Sequence, residues 1–226
     1  KLNKVDFLER DRFTNIYHVP SEKTINSFPM EIDRNKIKTI PYWANEKIWT
    51  ERNKNDCRKQ FNIPKDKFVI GSFQRDTEGF DLLTPKLAKG PDIFCDIIEK
   101  IRPKPHVILA GWRRQYIISR LKKAKIDYSY FEMVDFKKLN NLYNCLDLYL
   151  VTSRYEGGPQ AVLECSLNKT PILSTDVGIA KKVLNSKCIT NNTENFLSLI
   201  NAHNFDYANV NYDRVQKFKL ENLFTQ

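Results

Sequence analysis

Short apolar runs alternate with longer amphipathic stretches through the middle of the chain. Residues 68–73 (Phe-Val-Ile-Gly-Ser-Phe) read as a buried strand. Residues 91–101 read as a helix opened by Pro91, with Ile93, Phe94, Ile97, Ile98 and Ile101 on one face. The pattern continues with a strand at 106–110, a basic helix at 116–125, a short strand at 128–134 and a helix over 139–144. A strand at 146–151, a helix at 160–167 and a strand at 171–174 complete it. Strand and helix alternating at this spacing predict βαβ units, hence an α/β fold with a parallel sheet flanked by helices.

The ends differ. Residues 13–19 and 37–40 read as strands, the second stopped by Pro41. Ser21 is placed to cap a short helix, and residues 51–61 form a charged helix. From Thr193 onward the chain reads as helical and aromatic-rich. Residues 73–90 form a long loop, a length that in compact domains is usually functional or mobile.

Glycine is scarce, with seven in 226 residues. Gly71, Gly79, Gly90, Gly111, Gly157, Gly158 and Gly178 are all expected at or beyond the carboxyl ends of strands. Ligands bind at that edge of open α/β sheets, and glycine there lets the backbone approach them closely.

Composition narrows the class. Hydrophobic residues at 41% suffice for a packed core, and 37 basic against 27 acidic residues give a net charge of +10. No apolar run approaches the ~18 residues of a membrane helix, and the first residues do not resemble a signal peptide. The chain lacks an initiator Met, so it is expected to be processed, trimmed or part of something longer. The five cysteines make no Cys-x-x-Cys pair and read as free thiols in a reducing, cytoplasmic compartment. His18, His106 and His203 match no metal-ligand spacing, and His106, at the start of a strand, reads as structural. Trp112 and Tyr155 read as packing residues.

Chemistry concentrates in the stretch from Ser153 to Glu164, where Glu156-Gly157-Gly158-Pro159 leads from a strand into a helix that carries Glu164. Pro159 suits the first helical turn, where its missing N–H is not needed. The N–H groups of Gln160 and Ala161 are then free donors for an anion. Glu156 precedes the turn, and Glu164, about a turn inward, is placed to accept from vicinal hydroxyls. A carboxylate for a diol beside a helix end for phosphate suits a nucleotide sugar.

With this motif the sequence resembles the retaining glycosyltransferases of family 4, which have the GT-B fold and a signature of two glutamates separated by seven residues. Lys38-Thr39-Ile40-Pro41, Arg75, Lys89-Gly90, Ile108-Leu109-Ala110-Gly111, Leu142-Tyr143 with Asp147, and residues 171–178 follow in the family's order. The resemblance implies the C-terminal half of a GT-B enzyme, a Rossmann-like α/β domain that binds a UDP- or GDP-linked sugar as substrate. Residues 1–44 would end the N-terminal, acceptor-side domain, 45–210 would bind the donor, and 211–226 would be a helix returning toward the N-terminal domain.

Carried over, Arg75 and Lys89 bind the diphosphate and stabilise the leaving group. Glu156, Gly157 and Gly158 hold the sugar, Gln160 and Ala161 donate to phosphate, Glu164 binds the ribose, and Met133 and Val134 line the base pocket. No cofactor is implied, and without an Asp-x-Asp triplet no metal. The acceptor would be a saccharide or lipid-linked, with the remaining cleft wall supplied by the missing domain or a partner chain.

The chain also departs from the family. Gly158 replaces an aromatic residue, a stretch is inserted between Arg75 and Lys89, and Lys169 stands where Gly is common. Lys182 stands near a usual Glu, and Tyr42-Trp43-Ala44-Asn45 replaces Asn-Gly-Val-Asp. Two other readings remain open. One is a non-catalytic sugar-nucleotide-binding module. The other is a surface-binding domain that uses Arg113, Arg114, Arg120, Lys122, Lys123 and Lys125 as one basic cluster. Peripheral attachment to anionic lipid would suit that cluster, whereas no nucleic-acid module is legible.

Overall fold

The computed structural model describes residues 3–224. The N-terminal segment forms α1 (Lys4–Asp11), β1 (Tyr17–Val19), α2 (Glu22–Ile25) and β2 (Ile37–Thr39). The main body follows with α3 (Lys54–Gln60), β3 (Val69–Ser72), α4 (Pro91–Lys100), β4 (His106–Ala110), α5 (Gln115–Lys123) and β5 (Tyr128–Phe131). It continues with α6 (Phe136–Asn144), β6 (Leu148–Val151), α7 (Gln160–Leu167), β7 (Ile172–Ser174), α8 (Ala180–Val183), α9 (Thr193–Asn201) and α10 (Ala208–Val215).

Strands β3 to β7 make one parallel sheet in the order β5-β4-β3-β6-β7. β3, β4, β6 and β7 are buried at every position. That is why they are near-continuous apolar runs rather than alternating ones, as strands covered on both faces must be. The Rossmann-like α/β expectation therefore holds. The chain leaves β3 toward β4 on one side and later returns to β6 on the other. The strand order thus reverses between β3 and β6, and the loops leaving their carboxyl ends part at that point to form a crevice. β1 and β2 pair separately, Tyr17 with Ile37 and Val19 with Thr39.

Several expectations need correction. Residues 13–16 are not strand, and Tyr17 is half-buried against Phe7 and Phe28. Gly71 lies inside β3, where a Cβ would sit 2.3 Å from the Leu146 side chain, so it is a packing glycine rather than a turn. Pro159 is the N-cap of α7, one residue ahead of the first turn.

The tail is not one helix over 211–226. α10 ends at Val215 and gives way to 3-10 turns, while residues 225 and 226 lie outside the described residues. The tail is hydrogen-bonded to Ala44: Ala44 N–H donates to Phe218 O, and Leu220 N–H donates to Ala44 O.

The supposed basic cluster is split by partners distant in sequence. Arg114 is fully buried and bonded to Asp76, the Ser72 and Ala110 carbonyls and the Ser72 hydroxyl. Arg120 pairs with Glu99 and Asp96. All five cysteines are free and buried, and His106 is held at 2.9 Å from the Ser129 hydroxyl.

Candidate functional site

The loops leaving β3 and β6 meet at Gly90. Its φ is +61°, and a Cβ there would fall 1.8 Å from the Thr152 carbonyl oxygen, so only glycine allows the contact. Thr152 Oγ1 donates to Gly90 O (2.8 Å), and the Arg154 and Tyr155 N–H groups donate to Ala88 O. Arg154 also clamps Asp92 at the start of α4 with two bonds of 2.8 and 2.6 Å.

This docking carries Lys89 onto Glu156, and the ammonium donates to Oε1 of the carboxylate. Ser153, buried beneath, donates to the same oxygen at 3.1 Å. Both members of the pair line a cavity of about 650 Å³. Lys23, Lys86 and Arg154 add cations to its wall, and Asp176 is its other carboxylate. Burial alone would raise the Asp176 carboxyl, but hydrogen bonds from Lys181 and Lys23 outweigh it and hold it below the usual range.

The backbone comes close because three glycines converge. A Cβ on Gly178 would lie 2.6 Å from Gly157 O, one on Gly157 2.9 Å from Pro20 Cγ, and one on Gly158 2.8 Å from Tyr42 Cδ2. Gly157 lines the cavity, whereas Gly158 is buried against Pro20 and Tyr42. No side chain caps α7. The N–H groups of Gln160 and Ala161 therefore sit at a helix start with its partial positive charge.

Glu164, one turn along α7, is largely shut from solvent. Tyr143 donates its hydroxyl to Oε2 at 2.6 Å. Burial pushes the carboxyl up to about 7, and the Tyr143 bond opposes that rise.

These observations coincide with a family. The profile described as "Glycosyl transferases group 1" matches residues 82–202, more than half of the chain. The chain belongs to the group 1 glycosyltransferases.

Among curated proteins, this group 1 glycosyltransferase chain is similar to the O-antigen biosynthesis glycosyltransferase WclY of Escherichia coli. The two are 26% identical over 166 residues, 69% of this chain and 44% of WclY. The chain thus spans under half the length of the curated relatives it matches. Among solved structures it is similar to Anabaena Alr3699/HepE in complex with UDP and glucose, with a TM-score of 0.82 and 15% identity over 100% of this chain and 66% of that one. It is also similar to sucrose-phosphate synthase from Thermosynechococcus elongatus, with a TM-score of 0.79 and 16% identity over 99% and 60%. At such identities these likenesses concern the fold, that of GT-B glycosyltransferases.

Within this group 1 glycosyltransferase chain, not every expected site residue converges. Arg75 lies in the loop that follows β3 and does not line the cavity. Its Nε donates to Thr77 O at 2.7 Å, and its guanidinium lies 5.7 Å from the centre of the Trp112 ring. Met133 is exposed and Val134 packs partly on the core, and neither lines the cavity; Gln160, Ala161 and Glu164 of α7 also lie outside its lining. Trp112 and Tyr155 are not packing residues. Trp112 is exposed between the Arg75 and Arg113 guanidinium groups, and Tyr155 is exposed on the cavity wall.

Sequence reasoning missed Lys23, Lys86 and Tyr143 as site residues. Lys86 lies three residues before Lys89 in the long loop, which is a legible signal. Lys23 arrives from α2, and nothing local announces it. A second cavity of about 640 Å³ lies between α3 and α6 and shares no residue with the Lys89–Glu156 wall.

Proposed function

We propose that the chain is the donor-binding half of a retaining glycosyltransferase, taking a nucleoside-diphosphate sugar and passing the sugar to a saccharide or lipid-linked acceptor. Residues 45–210 form the donor domain in this reading. The observation that carries it is the Lys89–Glu156 pair on a cation-rich cavity next to the uncapped start of α7. The relatives support it, one being an O-antigen biosynthesis glycosyltransferase and one a structure in complex with UDP and glucose.

In this reading the sugar occupies the cavity, with Glu156 accepting from its hydroxyls. The diphosphate lies on the N–H groups of Gln160 and Ala161, within reach of Lys89 and Arg75. As the sugar–phosphate bond breaks, negative charge builds on the diphosphate, and fixed cations with a helix start stabilise it without a bound metal. Glu164, when ionised, accepts from the ribose hydroxyls. The acceptor wall is assigned to the part of the protein outside this chain, since the matched stretch covers only 44% of the curated relative. The chain alone is then expected to bind donor without transferring sugar. The cytoplasm is the compartment assigned, and no helix among the described residues is long and apolar enough to cross a membrane.

A thermal-shift screen tests the reading. At least one of the UDP- or GDP-sugars should raise the melting temperature by mass action. No response to any nucleoside diphosphate or sugar nucleotide would contradict it.

A further inference from the structure

We propose that residues 79–83 and the adjoining exposed face of α5 form a docking surface for an anionic lipid bilayer. The stretch belongs to the insertion between Arg75 and Lys89, and the donor-site reading does not require it. Phe80 is fully exposed at its tip, and Leu83 is 61% exposed.

These apolar side chains are held out by a built loop. Glu78 N–H donates to Thr84 O (2.9 Å) and Lys86 N–H to Asp76 O (2.8 Å), closing the base. Asp81 accepts from the N–H groups of Leu83 and Thr84 and from the Thr84 hydroxyl. Arg113 donates to Gly79 O and lies over the exposed Trp112 ring, which puts an indole on the same side. Asp76 itself is anchored by the buried Arg114. Phe80, Leu82 and Leu83 expose apolar side chains within four residues, and grouped exposed apolar side chains of this kind mark an interaction surface.

Charge says which one. Leu83 shares a surface hollow with Tyr116, Ser119, Arg120 and Lys123 of α5. Lys122 and Lys123 are exposed and form no salt bridge among the described residues, Lys123 only adding to Arg120 in holding the Glu99 carboxyl below its usual value. Apolar side chains that project beside exposed lysines match a bilayer with anionic headgroups, where the two attractions add. The loop's other end, at Lys86 and Lys89, lines the sugar cavity, so docking would set that cavity beside the membrane.

The test is co-sedimentation of the full chain with vesicles of phosphatidylcholine, alone or with about one third phosphatidylglycerol. The wild type should sediment only with the anionic vesicles. The Phe80→Ser/Leu83→Ser and Lys122→Glu/Lys123→Glu variants should each bind about tenfold more weakly. All substituted side chains are exposed, so melting temperatures should stay unchanged and exclude misfolding. Failure of the wild type to bind anionic vesicles, or equal binding by the loop variant, would overturn the proposal. Self-association of the wild type without lipid, lost in the loop variant, would overturn it in favour of a protein partner.

Discussion

Tyr143 donates its hydroxyl to Glu164 at 2.6 Å, joining α6 to the helix that opens the candidate site. Both groups are buried enough for their acidities to fall: the Glu164 carboxyl is pushed up to about 7, and the Tyr143 phenol lies well above its usual value. A carboxylate that accepts ribose hydroxyls must be ionised. Nucleotide affinity should therefore fall about tenfold from pH 8 to pH 6, as Glu164 takes up its proton. Calorimetric titrations of UDP and GDP would measure this against Glu164→Gln, which removes titration of the ligand phosphate from the comparison. Tyr143→Phe deletes the bond that opposes the rise, so the midpoint should move above 7. An unchanged profile in Glu164→Gln would refute the assignment.

The same carboxyl has a stability consequence of definite sign. Its folded pKa lies above the unfolded value near 4.5, so the folded state binds the proton more tightly. The contribution of Glu164 to stability is greatest below about 4.5, declines as pH rises toward 7, and is constant above. Urea midpoints of Glu164→Gln should lack this decline. A wild type that gained stability over that interval relative to Glu164→Gln would reverse the sign and reject the burial argument.

Arg75 and Glu164 should separate by ligand. Hydrogen bonds to charged groups contribute roughly 1.5–3 kcal/mol, so Arg75→Ala and Glu164→Ala should each weaken a sugar nucleotide about 10- to 100-fold. Glu164→Ala should lose affinity for the bare nucleoside too, whereas Arg75→Ala should not. Equal losses for nucleoside and donor in both variants would show that the roles are misassigned.

Two glycines of similar φ should respond differently to alanine. At Gly90 a Cβ would fall 1.8 Å from the Thr152 carbonyl, whereas at Gly79 its nearest neighbour is 3.4 Å away. Gly90→Ala should cost about 3 kcal/mol or more and loosen the Lys89–Glu156 contact, and Gly79→Ala about 1 kcal/mol. Chemical denaturation of the pair checks this, and comparable losses would argue against the close approach.

Glycine's scarcity is visible at the helix ends. Asn62, Lys125, Lys169 and His203 take positive φ just past α3, α5, α7 and α9, where helices commonly stop with glycine. Lys125→Gly should therefore stabilise the fold by about 0.5–1 kcal/mol. A loss of stability would mean that the lysine side chain contributes more than its backbone strain costs.

What was legible in the chain follows from where the information is local. Four of the five central strands are buried on both faces, so their apolar runs mark them directly, and α7 was found to the residue. α1 was not, because none of its residues is buried and its helical pattern has no core to face. The burial of Arg114 depends on Ser72 and Asp76, some forty positions earlier, so its charge read as surface. Glu156 and Lys89 were identified by motif, but their direct contact depends on the Gly90–Thr152 approach, which is tertiary. Gly71 was misplaced because a strand end and a packing position look alike in sequence.

The most direct test is a crystal structure of the chain with a bound UDP- or GDP-sugar. The account predicts the diphosphate against the N–H groups of Gln160 and Ala161, the ribose on Glu164 and the sugar in the cavity beside Glu156 and Lys89. Density for the nucleotide in the cavity between α3 and α6 instead, with the Lys89–Glu156 pair untouched, would contradict it.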